Sequence, residues 1–309
     1  MKLVFWGKGK RSIDCLKSVH DKGYNIEAVI AYPDDVELSS LAEEYNIKVL
    51  KPEDLSKESF KTFLSGLNPD LFILAGYGKI LSKEIIDIPK IMSINLHAGK
   101  VPEYRGSSPM NWALINGEKS FTLSILKMDS GIDSGELLLE RSFGISVNDT
   151  IKDLHDTANK EFPLMLTEVL SQIEKGSLKV IPQDDSKASY YPLRFPDDGL
   201  ILWDVFTAEQ IHNRIRALTE PYPCAFTFFN GRKIKLLSSE LNEVNYYGEP
   251  GRVYKKNKKG LFVCGLDKCL WLNGAEFEDT GEPVIDVITR YDRLATVRYS
   301  IVNNSAVGV

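Results

Sequence analysis

Residues 71–75, Leu-Phe-Ile-Leu-Ala, constrain the fold more than any other stretch: five apolar residues in a row, opened by Pro69-Asp70 and closed by Gly76-Tyr77-Gly78. Successive side chains of a strand point to opposite faces, so a strand with no polar position is buried on both. That is the condition of a central strand in a parallel sheet covered by helices. The flanking chain agrees. Residues 2–6, 26–31 and 47–50 read as further short apolar strands. Between them apolar positions return at helical spacing: Ile13, Leu16 and Val19, then residues 38–45, then residues 56–64 with Ser56 as the expected N-cap. Strands alternating with helices predict an α/β domain with a doubly wound, mainly parallel, Rossmann-like sheet. Gly7-Lys8-Gly9 follows the first strand, but Ser12 stands where a dinucleotide fingerprint needs its third glycine, so a plain tight turn is expected.

The apolar run 91–94 delivers Asn95 and His97 two residues apart, hence on one face of a strand tip. Open α/β sheets build their sites at the carboxyl ends of strands. A loop punctuated by Gly and Pro follows, Ala98-Gly99-Lys100-Val101-Pro102-Glu103-Tyr104-Arg105-Gly106, then a predicted helix over residues 109–115. Strands over 121–127 and 136–140 flank a second polar loop containing Asp129 and Asp133, and they suggest a hairpin. A long amphipathic pattern through Ile151, Leu154, Ala158, Phe162, Leu166, Val169 and Ile173 closes the first domain.

Asn-x-His, a Pro-x-Tyr-Arg-Gly loop and Asp-x-Gly-Ile-Asp-Ser-Gly, in this order, resemble the folate-dependent formyltransferases, which include methionyl-tRNA formyltransferase and the sugar formyltransferases. Ala98-Gly99-Lys100 replaces the Ser-Leu-Leu of the tRNA enzymes and makes the chain more similar to members acting on nucleotide-linked amino sugars. The resemblance implies that 10-formyltetrahydrofolate is the co-substrate, that Asn95, His97 and Asp133 are catalytic, and that Gly78, Ile80, Leu81 and Asp129 border the pterin. It also implies an acceptor site that includes Lys100, Tyr104, Arg105, Asn111, Arg194 and Tyr222.

The chemistry is consistent with those roles. Acyl transfer to an amine develops negative charge on oxygen and positive charge on nitrogen, so it needs a hydrogen-bond donor and a proton route. Asn95 can donate, His97 can donate or exchange protons, and Asp133 can orient the imidazole. Taken singly, each also fits a structural turn or cap. Arg105 equally fits a salt bridge that holds its loop, and Tyr104, Trp112 and Tyr222 fit either stacking on a ligand or the core. His20, His155 and His212 fall in predicted helices and are expected at the surface or in the core.

At 309 residues the chain accommodates two domains. The expected layout is a catalytic domain over 1–185, a Tyr- and Pro-rich linker over 186–203, and a smaller β-barrel domain of OB type over 204–309. The C-terminal part resembles the second domain of the same family through Pro221-Tyr222-Pro223 and Gly248-Glu249-Pro250-Gly251. Four cysteines without C-x-x-C spacing suit reduced thiols; Cys264 and Cys269 are the one pair that offers a zinc alternative, and no metal is expected. No targeting or membrane-spanning segment is recognised, which suits a cytoplasmic protein. A net charge of -5 weighs against a broad nucleic-acid footprint.

The expected function is therefore formyl transfer to a nucleotide-linked amino sugar, a precursor of surface polysaccharide or of a nonulosonic acid. Methionyl-tRNA formylation, a hydrolytic relative and a non-catalytic folate or nucleotide binder are the alternatives. A homodimer is compatible with the sequence, which leaves the oligomeric state open.

Overall fold

The structure, a computed structural model, describes residues 1–296. Two units are formed: Met1–Pro109, Phe121–Phe143 and His155–Pro192 make the first, while Met110–Ser120, Gly144–Leu154 and the chain from Leu193 onward make the second.

In the first unit the run at 71–75 becomes a fully buried strand, and the sheet grows outward from it. The elements in order are β1 (Lys2–Gly7), α1 (Gly9–Asp21), β2 (Asn25–Ala31), α2 (Val36–Glu44), β3 (Lys48–Leu50), α3 (Glu58–Gly66), β4 (Leu71–Ala75), α4 (Lys83–Ile86), β5 (Met92–His97) and β6 (Arg105–Gly106). After α5 (Pro109–Ile115), which belongs to the second unit from Met110 on, come β7 (Ser120–Lys127), β8 (Leu137–Gly144), α6 (Ile151–Glu174) and β9 (Tyr190–Tyr191). The seven-stranded sheet has the order β3-β2-β1-β4-β5-β7-β8. Its first five strands are parallel, and β7 runs antiparallel to β5.

The period of two explains the layers. Val4, Trp6, Ala28, Ile30, Phe72 and Leu74 face one side, where they pack with Phe60 and Leu64 of α3 and with Ile85 and Ile86 of α4. Each large side chain so buried contributes about 1.5–3 kcal/mol. Helix α1 lies against β1 and β4, and the Arg11 guanidinium stacks over Phe162 of α6 at 5.0 Å. The Gly7-Lys8-Gly9 stretch is the tight turn expected. A Cβ at Gly7 would stand 2.0 Å from Ser12 Oγ, and the Ser12 hydroxyl donates to the Ala75 carbonyl. Glycine therefore lets α1 approach the sheet closely. The expected cap of α3 is different: Ser56 turns back to Asp54 through both its N–H and its hydroxyl, and Lys57 takes the N-cap position without a side-chain bond.

In the second unit α7 (Ala208–Leu218) opens with a reciprocal cap, Gln210 N–H on Thr207 Oγ1 and Thr207 N–H on Gln210 Oε1. Its apolar positions lie on a five-stranded antiparallel sheet, built from β10 (Ala225–Phe229), β11 (Arg232–Leu241), β12 (Val253–Asn257), β13 (Gly260–Cys264) and β14 (Cys269–Phe277) in the order β10-β11-β14-β13-β12. This is the expected smaller β domain, and α8 (Val284–Val287) follows it. The tail from 297 to 309, expected to be more β, lies outside the described residues. The expected linker is divided between the units: Tyr190 and Tyr191 pair with Arg105 and Gly106 in the first, and Leu193 begins the last stretch of the second. Among the described residues, no helix is long and apolar enough to cross a membrane.

Candidate active site

Strand β5 ends at His97, one strand beyond the point between β1 and β4 where the strand order reverses, and so on the rim where open α/β sheets hold ligands. Asn95 and His97 project from the same face. The loop between β7 and β8 brings Asp133 to them. Asn95 Nδ2 donates to Asp133 Oδ1 at 3.2 Å, and His97 Nδ1 lies 3.4 Å from Asp133 Oδ2. The Gly106 N–H donates to that same Oδ2 at 2.9 Å. The amide, imidazole and carboxylate expected to act together thus share one cluster.

The imidazole is enclosed, its side chain only 6% exposed against 13% for Asp133. On its far side Nε2 meets the Tyr104 carbonyl at 2.7 Å. A carbonyl only accepts, so this geometry assigns a proton to Nε2 and leaves Nδ1 facing the carboxylate. A second proton can then be held between Nδ1 and Oδ2. Asp133 also carries φ +50°, left-handed for a residue with a side chain.

Two glycines make this packing possible. A Cβ at Gly99 would lie 2.6 Å from His97 Nε2, 2.7 Å from the Tyr104 carbonyl oxygen and 2.8 Å from Pro109 Cβ. Gly106 has φ +98°, and a Cβ there would sit 2.4 Å from the Tyr191 carbonyl oxygen. The Ser124 hydroxyl, opposite His97 on β7, donates to the Gly99 carbonyl at 2.8 Å.

The residues expected around the pterin are placed unevenly. Gly78 and Ile80 lie on the turn after β4, the neighbour of β5, and Ile80 is 83% exposed. Lys79 anchors that turn through the Pro52 and Glu53 carbonyls. The Leu81 side chain belongs to the core beside Ile85 and Ile86. Asp129 Oδ1 is used inside its own loop, accepting from Gly131 N at 3.0 Å and Ser134 Oγ at 2.8 Å.

Among the residues expected at the acceptor, several spend their polar atoms within the protein. Lys100 pairs with Glu103 at 2.9 Å, and Tyr104 stacks on Tyr191 at 4.7 Å. Arg105 is 2% exposed. Its guanidinium donates to Gln183, Asp185 and Tyr190, so it takes the loop-holding alternative rather than facing a ligand. Burial pulls its pKa down, but the bonds to Asp185 and Tyr190 outweigh that and leave it raised. In the second unit Asn111 is buried and donates to the Ala217 carbonyl at 2.8 Å, a helix-to-helix tie in place of the expected acceptor contact. There too, the Arg194 guanidinium lies over Trp112 at 4.8 Å, donates to the Asp198 carbonyl, and has its pKa lowered by burial. The Tyr222 backbone closes a turn on Thr219. Gln183, which touches both the Asp133 loop and Arg105, carries no motif or periodicity that would mark it in the sequence.

The remaining histidines serve the scaffold. His20 stacks on Tyr45 at 3.6 Å. His212 is buried between Ser239 Oγ and the Val147 carbonyl, and burial lowers its pKa. Burial, with the nearby Arg11, lowers His155 to about 4. The free imidazole binds its proton near 6.5, so below that value the unfolded chain gains a proton the folded one refuses. Stability contributed by neutral His155 should fall between about pH 6.5 and 4, by roughly 2–3 kcal/mol. Denaturant titrations of wild type and His155→Gln across this range check it: the variant should show the shallower pH dependence. Among the described residues no cluster of three or more metal-ligating side chains occurs; Cys264 and Cys269 face each other across β13 and β14 as free thiols.

Residues 1–170 match the family described as formyl transferase, and residues 195–283 match its C-terminal domain. The methionyl-tRNA formyltransferase of Acetivibrio thermocellus is 36% identical over 280 residues, 87% of this chain and 89% of its own. That of Syntrophus aciditrophicus is 32% identical over 304 residues, 95% of this chain and 97% of its own. Among solved structures, the sugar 3N-formyl transferase WlaRD superposes with a TM-score of 0.68 at 22% identity, over 87% of this chain and 96% of its own. At that identity the likeness is one of fold. These findings correct the expected nucleotide-sugar acceptor, since the relatives that share sequence over most of the chain are named for methionyl-tRNA. The Ala98-Gly99-Lys100 variant of the loop, read as a mark of the sugar enzymes, does not report the acceptor: Gly99 packs against the His97 ring and Lys100 pairs with Glu103.

Proposed function

The chain belongs to the formyl transferase family, and from that premise we propose that it moves the formyl group of 10-formyltetrahydrofolate to the amine of methionyl-tRNA. The observation that carries the acceptor is the 32–36% identity to methionyl-tRNA formyltransferases over most of the chain. The net charge of -5 is a sum over the whole chain and does not report local charge. Lys255, Lys256, Lys258 and Lys259 are all exposed around the turn from β12 to β13, which gives the second unit a cationic strip suited to a phosphate backbone.

The Asn95, His97 and Asp133 cluster supports the chemistry. As the amine attacks the formyl carbon, a C–N bond forms and the carbonyl oxygen gains negative charge, which an N–H of Asn95 is placed to receive. The attacking nitrogen must lose a proton. The His97 Nδ1 and Asp133 Oδ2 pair can hold it and pass it to the folate nitrogen that departs. Folate is a substrate, and the backbone turn at Gly78 and Ile80 beside β5 is the surface offered to its pterin.

Purified protein mixed with formyl donor and charged initiator tRNA should yield formylmethionyl-tRNA at a rate proportional to enzyme. Failure to formylate the tRNA under conditions where a known tRNA formyltransferase does so would refute the acceptor.

A further inference from the structure

We propose that Gln183 is a positioning residue that sets the place of Asp133, an inference that rests on the reading of Asp133 as part of the formyl-transfer site. The side-chain amide spends its full capacity on three residues. Nε2 donates to the carbonyls of Asp133 at 2.9 Å and Gly135 at 2.5 Å. Oε1 accepts from Arg105 Nε at 3.0 Å and Nη2 at 2.8 Å. Arg105 is itself fixed, with Nη2 on Asp185 at 2.7 Å and Nη1 on the Tyr190 hydroxyl at 3.0 Å.

The need for such a clamp follows from the backbone. Asp133 has φ +50°, a conformation that a residue with a side chain keeps only where its surroundings over-determine it. One anchor of the loop is Gly135, pressed so close to the Lys127 carbonyl that a Cβ would lie 1.8 Å from it. The other is Gln183, bonded at the strained residue itself. Released from that bond, Asp133 relaxes and its carboxylate leaves Asn95, His97 and the Gly106 N–H. Arg105 acts one step back, holding the amide in the one orientation that aims Nε2 at the loop.

Two variants separate this role from simple scaffolding. Gln183→Glu keeps an acceptor for Arg105 but turns oxygen towards two carbonyls, while Gln183→Met removes both bonding sides at similar volume. Both should lower kcat by about 10–100-fold, with KM for the formyl donor within about twofold of wild type. Amide exchange at Gly106, whose N–H reports the Asp133 carboxylate, should quicken by about tenfold or more in both. Wild-type kcat in Gln183→Glu, a loss confined to KM, or unchanged Gly106 exchange in both variants would overturn the proposal. If wild type fails to formylate the tRNA, the acceptor reading falls, and the exchange measurement alone decides the role of Gln183.

Discussion

Replacing His97 with alanine is expected to slow formyl transfer by about 10²–10⁴-fold while leaving a folded protein. The imidazole is where three parts of the site meet: Asp133 Oδ2 at Nδ1, the Tyr104 carbonyl at Nε2, and Asn95 beside it on β5. The two ring nitrogens let the imidazole accept a proton on one side and donate on the other, whereas Asn95 only donates or accepts hydrogen bonds. Without the ring, the proton leaving the amine has only the carboxylate or water to go to, and the Tyr104 carbonyl loses its donor. That last loss costs about 1–3 kcal/mol of stability, so thermal melts should accompany the rates. Single-turnover formylation with saturating donor is the measurement that reads the chemical step. A His97→Ala protein that keeps more than a tenth of the wild-type rate would show that proton transfer does not pass through this residue.

Gly99→Ala should be nearly as damaging, although the added group is one methyl. The three atoms it would meet all lie under 3.0 Å away, and they belong to the His97 ring, the Tyr104 backbone and the ring of Pro109. Backward relief is closed, because the Ser124 hydroxyl holds the Gly99 carbonyl from β7. The imidazole must therefore tilt, which breaks its bond to Tyr104 and changes its distance to Asp133. A displacement of about 1 Å at reacting groups costs on the order of 10²-fold in rate, and overpacking of this kind costs about 1–3 kcal/mol. The expected result is a protein that melts at lower temperature and turns over about 10²-fold more slowly. A Gly99→Ala enzyme of wild-type kcat would mean that the loop yields without disturbing the ring.

Much of this site was legible in the residues. Asn95 and His97 follow from the period of two in a strand whose apolar run ends at a loop, and that period survives any tertiary context. Asp133 was placed by motif order, and the structure brings it to both. Errors arose where one residue had two physical explanations. Ala98-Gly99-Lys100 reads as a mark of acceptor type, yet in this fold Gly99 serves the close packing of the loop on His97. Arg105 fits ligand contact and salt bridge equally from the sequence, because its partners lie about 80 positions away, where no local pattern reaches. Ser56 had the chemistry of a helix cap, but Asp54 offered a nearer partner two residues back.

The order of strands and helices, the both-face burial of residues 71–75, and the amide and imidazole on one strand face are properties of short windows of sequence, because hydrophobic period and turn chemistry act over a few residues. Folding decided the rest: the carboxylate of Asp133 arriving from 38 positions on, the hold of Gln183 on it from 50 positions further, and the turning of Arg105 inward. Such contacts form only when distant segments are packed against one sheet edge, where each polar group must find a partner or bear the cost of leaving water.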